Sequence, residues 1–275
     1  MPAKTVEDIA KVNELLQGKD KVFVKIDAGF MGGTYLSVQF CDSKGREIDQ
    51  ASRIRKEYYG LQTLSKAVEK GTEAGIERYT EPESDKPLFP WGNLDCYKNL
   101  KKEEYHCHGA WMIGSSLVAK GYGPMLYDVA LEVLGKSGIG LTADRKQVSS
   151  PAAKVWLTYL QSRSNVKSKP FDLNHSTPET DDDCWSEHSS DTTWNQWIAK
   201  PEDPEEKKEA EKKFSDAINR IYFDAGINTV EALQQAGLIY GNNIPTIPAE
   251  PAENITENIF RLYNSFLIET YKRNT

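Results

Sequence analysis

Residues Tyr105 to Arg163, YHCHGAWMIGSSLVAKGYGPMLYDVALEVLGKSGIGLTADRKQVSSPAAKVWLTYLQSR, decide the fold. Tyr105 to Ala119 is apolar and partly alternating, with His106, His108 and Ala110 on one face and Cys107 and Trp111 among the others, the pattern of one or two strands. Gly121-Tyr122-Gly123 turns the chain, and Pro124 suits a first helical position because it has no amide hydrogen to leave unpaired there. Met125, Leu126, Val129, Leu131, Val133 and Leu134 continue as a well-packed helix that Gly135 and Gly138 end. Ile139-Gly140-Leu141-Thr142 reads as a short buried strand. Ser149-Ser150-Pro151 is a cap-plus-proline start for a second helix through Val155, Trp156, Tyr159 and Leu160.

Toward the N-terminus, apolar residues from Val6 to Leu16 recur with helical spacing. The β-branched and aromatic runs Val22 to Ile26 and Thr34 to Phe40, joined through Met31-Gly32-Gly33, form a hairpin-like pair of strands. Asp42 to Gly45 is the next turn, and helical spacing runs from Tyr58 to Lys70. The prolines Pro82, Pro87 and Pro90 make an extended loop with Phe89 and Trp91 tucked inward.

Toward the C-terminus, Lys169 to Pro204 has little periodicity and many acids, so it reads as an acidic insertion. A charged helix is expected over 205–225, with Phe214, Ala217, Ile218, Ile221 and Tyr222 on its apolar face. Asn228 to Glu231 opens a short helix, Pro245 to Pro251 is a connector, and Ile255 to Leu267 stripes a final helix.

With 275 residues and 39% hydrophobic residues the chain can bury a real core. No apolar run approaches the roughly 20 residues that cross a bilayer, and the polar start has no greasy signal segment, so neither membrane insertion nor signal-peptide export is expected. The four cysteines are scattered, as suits a reducing compartment. A net charge of -7 argues against direct nucleic-acid binding, which needs clustered Lys and Arg. The acidic segment could instead occupy a basic surface on another protein.

The Gly121-Tyr122-Gly123 turn carries the candidate chemistry, because a helix N-terminus offers unpaired amides and the positive end of a dipole to a phosphate. Val118 to Gly123 resembles the Arg/Gln-x-x-Gly-x-Gly/Ala turn with which GNAT-type acetyltransferases hold acetyl-coenzyme A, with Val118 in the Arg/Gln place. The resemblance implies an α+β fold: a mixed, mostly antiparallel central sheet flanked by helices, with an acidic insertion and a C-terminal helical appendage. It divides the chain into a GNAT-like domain over 1–168, an acidic irregular segment over 169–204 and a helical region over 205–275. It implies that Lys120, Gly121, Tyr122, Gly123 and Met125 bind acetyl-coenzyme A and that strand carbonyls near Ser115 to Leu117 take its pantetheine arm.

In that family the next helix often reads Asn-x-x-Ala-x-x-Leu-Tyr, its tyrosine protonating the departing thiolate. The similar frame here is Ser149-x-x-Ala152-x-x-Val155-Trp156, and Tyr159, one turn on, takes the acid's role. The competing reading makes Trp156 and Tyr159 core aromatics. Glu103, Glu104 and Asp128 are the carboxylates considered as base, and none is assigned.

Gly121 to Asp128, Asp144-Arg145, Val148 to Pro151, Lys169 to Asp172 and Asp182 to Cys184 also resemble segments of acetyltransferase-like proteins of tailed bacteriophages. That resemblance implies a location in the host cytoplasm or the virion. Two functions follow: acetyl transfer to an amine, or a non-catalytic scaffold whose acidic segment binds a virion or host protein. A zinc site from Cys96 with His106-Cys107-His108, or from Cys184 and His188, lacks close paired ligand spacing, so no metal is expected. Asp181 to Asp183 reads as a solvated acidic run.

Overall fold

A computed structural model of the chain describes residues 3–16, 20–29, 35–59, 87–98, 110–144, 148–170 and 204–247. Helix α1 spans Val6–Leu15, with Ile9 and Val12 buried and the Thr5 amide donating to the Asp8 carboxylate at 2.9 Å. Asn13 ties this helix to the sheet: its amide nitrogen donates to the Val22 carbonyl at 2.9 Å and its oxygen accepts from the Val22 amide at 2.7 Å.

The expected hairpin forms as β1 (Phe23–Gly29) and β2 (Tyr35–Cys41), antiparallel with Val24 opposite Phe40 and Ile26 opposite Val38. At the following turn the Asp42 carboxylate accepts from the Lys44 and Arg46 amides at 2.8 and 2.9 Å, and Gly45 takes the left-handed conformation at φ 74°. Ser52 caps the short helix α2 (Arg53–Tyr58) by accepting from the Arg55 amide. Beyond Tyr59, the helical spacing expected to Lys70 lies outside the described residues. Phe89 is fully buried and Trp91 half-buried, as the proline-rich loop implied.

Strands β3 (Gly92–Lys98) and β4 (Ala110–Val118) follow, then α3 (Gly123–Gly135), β5 (Gly140–Thr142), α4 (Ser150–Ser162) and β6 (Val166–Pro170). The chain continues with α5 (Pro204–Ile218), β7 (Arg220–Asp224), α6 (Thr229–Gln235) and a 3₁₀ turn at Tyr240–Asn242. The fold is α+β. Its open sheet runs in the order β1-β2-β3-β4-β5-β7-β6, with every pair antiparallel except β4 and β5. The ten residues Met125 to Leu134 of α3 are all buried, and α3 packs against β2, β3, β5 and β7. This helix is the centre of the core.

Two expectations are corrected. The helix expected over 205–225 ends at Ile218, and Ile221 and Tyr222 belong to β7. Their β-branched and aromatic side chains suit a strand, and the place between β5 and β6 offers β7 a hydrogen-bonding partner on both edges. The buried Tyr222 hydroxyl donates to the Ala217 carbonyl, which fixes the corner. For the same reason the described residues 204–247 are no appendage: β7 sits inside the sheet, so residues on both sides of the expected boundary at 168 share one core.

Strands β3 and β6 have no counterpart in the sequence reading. The first holds Gly92, Asn93 and Asp95, residues that strands usually avoid, and the second is the lysine- and proline-bearing edge strand VKSKP. The acidic stretch 171–203 and the final helix over 255–267 lie outside the described residues.

Candidate functional site

Strand β5 pairs with β4 only at Ala110, Trp111 and Met112. Immediately beyond, β4 carries a bulge: Asp95 faces Ser115 while Cys96 faces Ile113, so Gly114 is the extra residue. The rest of β4 stays paired to β3 through Val118, but among the described residues nothing pairs with its β5-facing edge. Gly114, Ser115, Ser116 and Leu117 are exposed, Leu117 by 63%, although β4 is the middle strand of seven. A central strand with an open edge leaves backbone donors and acceptors for water or a ligand.

The chain then enters the glycine turn at the end of this gap. The Ala119 amide donates to the Trp91 carbonyl at 2.9 Å, and the Tyr122 amide donates to the Ala119 carbonyl at 3.0 Å. Gly121 sits at φ 88°, a conformation that favours glycine, and its carbonyl accepts from the Lys4 amide at 2.9 Å. The side chain of the N-cap residue, Tyr122, makes no cap hydrogen bond to α3, which opens with Gly123 and Pro124. A Cβ on Gly123 would meet nothing within 4 Å, so there is open space beside this residue.

The residues that the sequence assigned to the cofactor divide between the two sides of this turn. Lys120 is exposed, and Gly121 and Gly123 are half-exposed. Tyr122 and Met125 point inward. The Tyr122 hydroxyl donates to the Leu88 carbonyl at 2.8 Å, its ring meets Phe40 edge-on at 5.4 Å, and burial pushes its ionisation well above the ordinary phenol range. Both side chains anchor the turn from beneath, leaving only their main chain to a ligand.

Tyr159 is likewise interior. Its hydroxyl donates to Asp128 Oδ1 at 2.7 Å, and Arg163 Nη2 donates to Asp128 Oδ2 at 3.0 Å. Burial first, and the Asp128 carboxylate second, hold the Tyr159 phenol well above its ordinary value. Trp156, only 1% exposed, packs against Tyr127, Tyr159 and Tyr222 with ring centroids 5.3, 5.9 and 4.9 Å away. Two features that resembled catalytic positions thus pack α4 against the sheet and α3. Glu103 and Glu104 lie outside the described residues.

A polar cluster that sequence reasoning missed borders the gap. Asp95 on β3, 9% exposed, accepts from the Tyr35 hydroxyl at 2.7 Å, the Ser37 hydroxyl at 2.7 Å and the Ser115 hydroxyl at 2.8 Å. Pairing of β3 between β2 and β4 sets Ser37 and Ser115 opposite Asp95. Recognising Gly92–Lys98 as a strand was the one signal that could have found it.

Cys96, once weighed as a zinc ligand, is fully buried with its thiol ionisation pushed up by burial; His106, Cys107, His108, Cys184 and His188 lie outside the described residues. No described helix is long and apolar enough to cross a membrane. No family model, curated protein or solved structure matches the chain.

Proposed function

We propose that the chain is a GNAT-like N-acetyltransferase that binds acetyl-coenzyme A in the gap between β4 and β5 and acetylates an amine. One observation carries the reading: among the described residues nothing pairs with the β5-facing edge of β4 beyond Met112, and that edge ends at a helix whose N-cap residue, Tyr122, makes no side-chain cap and whose first residue, Gly123, has free space beside it. The mostly antiparallel sheet with its single parallel pair supports the GNAT-like assignment.

The residues fit the cofactor. The open edge of β4 offers amide-pairing groups to the pantetheine arm, and Gly121, Gly123 and Met125 offer main-chain amides to the pyrophosphate, the Tyr122 amide being held by the Ala119 carbonyl and Pro124 having none. Acetyl-coenzyme A supplies an acyl group activated as a thioester. Lys120 adds positive charge beside the phosphates. Val118 brings no polar group, so the main chain does the holding. Tyr159 keeps its proton and donates it in a hydrogen bond to Asp128, and so serves by fixing α4 to α3. The resemblance to tailed-phage proteins carries with it a place in the host cytoplasm or the virion.

A second reading, in which the scaffold binds a virion or host protein through its acidic segment without chemistry, is favoured by that same commitment of the Tyr159 hydroxyl. Calorimetric titration with acetyl-coenzyme A separates the two. The enzyme reading expects micromolar binding that a Gly123→Trp variant abolishes by filling the space. No heat with the unmodified protein overturns it in favour of protein binding.

A further inference from the structure

On β2 and β3, Leu36, Val38, Leu94 and Cys96 belong to the core, so by strand alternation Tyr35, Ser37, Asp95 and Tyr97 project from the opposite face. The register places Lys25 and Asp27 of β1, paired with each other at 2.7 Å, on the same face, and Asp95 is the buried carboxylate there. A carboxylate this buried ordinarily has a cation beside it. Here its protein partners are the neutral hydroxyls of Tyr35, Ser37 and Ser115, and among the described residues no Lys, Arg or His pairs with it.

Among the described residues its acceptor capacity is also incomplete. Oδ1 takes two hydroxyl protons and Oδ2 takes one, whereas a carboxylate offers about four lone-pair positions. Oδ2, whose one side-chain partner among the described residues is Ser115, is the oxygen that faces the exposed part of β4.

The surroundings favour a cation there. The Tyr35 and Tyr97 rings lie 5.1 Å apart, and Tyr97, 41% exposed, covers the bulge so closely that a Cβ on Gly114 would sit 2.3 Å from its ring. Aromatic faces attract ammonium groups. The negative potential of Asp95 reaches its surroundings: the Glu47 carboxyl is pushed above the ordinary range by burial first, then by Asp49 and by Asp95. A divalent metal fits poorly, since among the described residues no group of three or more His, Cys, Asp or Glu gathers here.

We infer that Asp95, walled by Tyr35 and Tyr97, is the subsite that receives the amine acceptor as a primary alkylammonium, of the kind carried by a lysine side chain or a polyamine. The inference deepens the reading above by naming the acceptor that meets the β4 gap. Ser115 links the two, since its hydroxyl holds Asp95 while its main chain belongs to the open strand.

The test is calorimetric titration of the full chain with spermidine at low ionic strength, beside a neutral diol of matching length. Spermidine is expected to bind and the diol not to. Asp95→Asn should weaken spermidine about tenfold or more, and Tyr97→Ala about threefold to tenfold. Absence of spermidine binding, or an unchanged affinity in a folded Asp95→Asn protein, overturns the subsite. Should that variant not fold, an unchanged affinity in Tyr97→Ala overturns it instead. A parallel titration with acetyl-coenzyme A keeps the two claims apart: spermidine binding without acetyl-coenzyme A binding refutes the transferase and leaves the ammonium site standing, and the reverse refutes the ammonium site alone.

Discussion

Tyr159 on α4 donates its hydroxyl proton to Asp128 on α3 across 2.7 Å, and Arg163 grips the other carboxylate oxygen at 3.0 Å. Removing the hydroxyl leaves a buried acceptor short of one donor. Tyr159→Phe is therefore expected to lower stability by about 1–3 kcal/mol, with the melting temperature falling by about 2–4 °C per kcal/mol. Denaturant melts check the first figure. Acetyl-coenzyme A affinity should stay within about threefold, and a larger loss would return the tyrosine to the site.

Gly92 begins β3 at φ 102°, and a Cβ there would lie 1.9 Å from the Leu117 carbonyl oxygen. Gly92→Ala combines a left-handed backbone with a clash against β4. A loss of about 2–4 kcal/mol is expected. Because Leu117 is on the open edge, the same variant should also weaken acetyl-coenzyme A in calorimetry. Stability lost without any change in that affinity would argue against the edge as the binding surface.

Glu132 reaches from α3 to the start of α6, where its Oε2 accepts from the buried Val230 amide at 2.8 Å. Burial pushes its carboxyl above the ordinary 4.5, with the Val230 amide acting in the opposite direction. A raised folded value means that this group's contribution is fully present below 4.5 and is lost as pH rises through the folded value. Glu132→Gln keeps an acceptor without charge and should hold or raise stability at neutral pH. Glu132→Ala strands the amide and should cost about 1–3 kcal/mol. Thermal melts of the two variants across pH 4 to 7 read the difference.

The folded chain should resist alkali and then yield cooperatively. Burial pushes Tyr35, Tyr58 and Cys41 up to about 12, and it raises Tyr122, Tyr127, Tyr159 and Tyr222 as well. With every shift upward, stability from these groups is whole below the ordinary values of 9.0 for the thiol and 10.0 for the phenols, and it falls as pH rises through about 12. Phenolate absorbance should climb together with the loss of circular dichroism. Ionisation of most tyrosines before any unfolding would contradict this burial.

What the sequence determined by itself is local. The helical period of Met125 to Leu134, the proline after a glycine turn and the Ser149 cap each act within a turn of chain, and α3, β5 and α4 form where those signals stand. The β1–β2 hairpin was legible for the same reason. Tertiary structure decided the rest. Ile221 and Tyr222 have a spacing that also suits a helix, and only the partners waiting on β5 and β6 make them a strand. Tyr159 has no local signal telling a buried phenol from an exposed acid, and Asp128 decides it from 31 positions away. Asp95 drew no notice in a segment of strand-averse residues, because its meaning comes from Ser37 and Ser115 on neighbouring strands. Side-chain periodicity is written along the chain, whereas pairing, burial and charge compensation depend on residues far apart in sequence that meet only when the sheet is assembled.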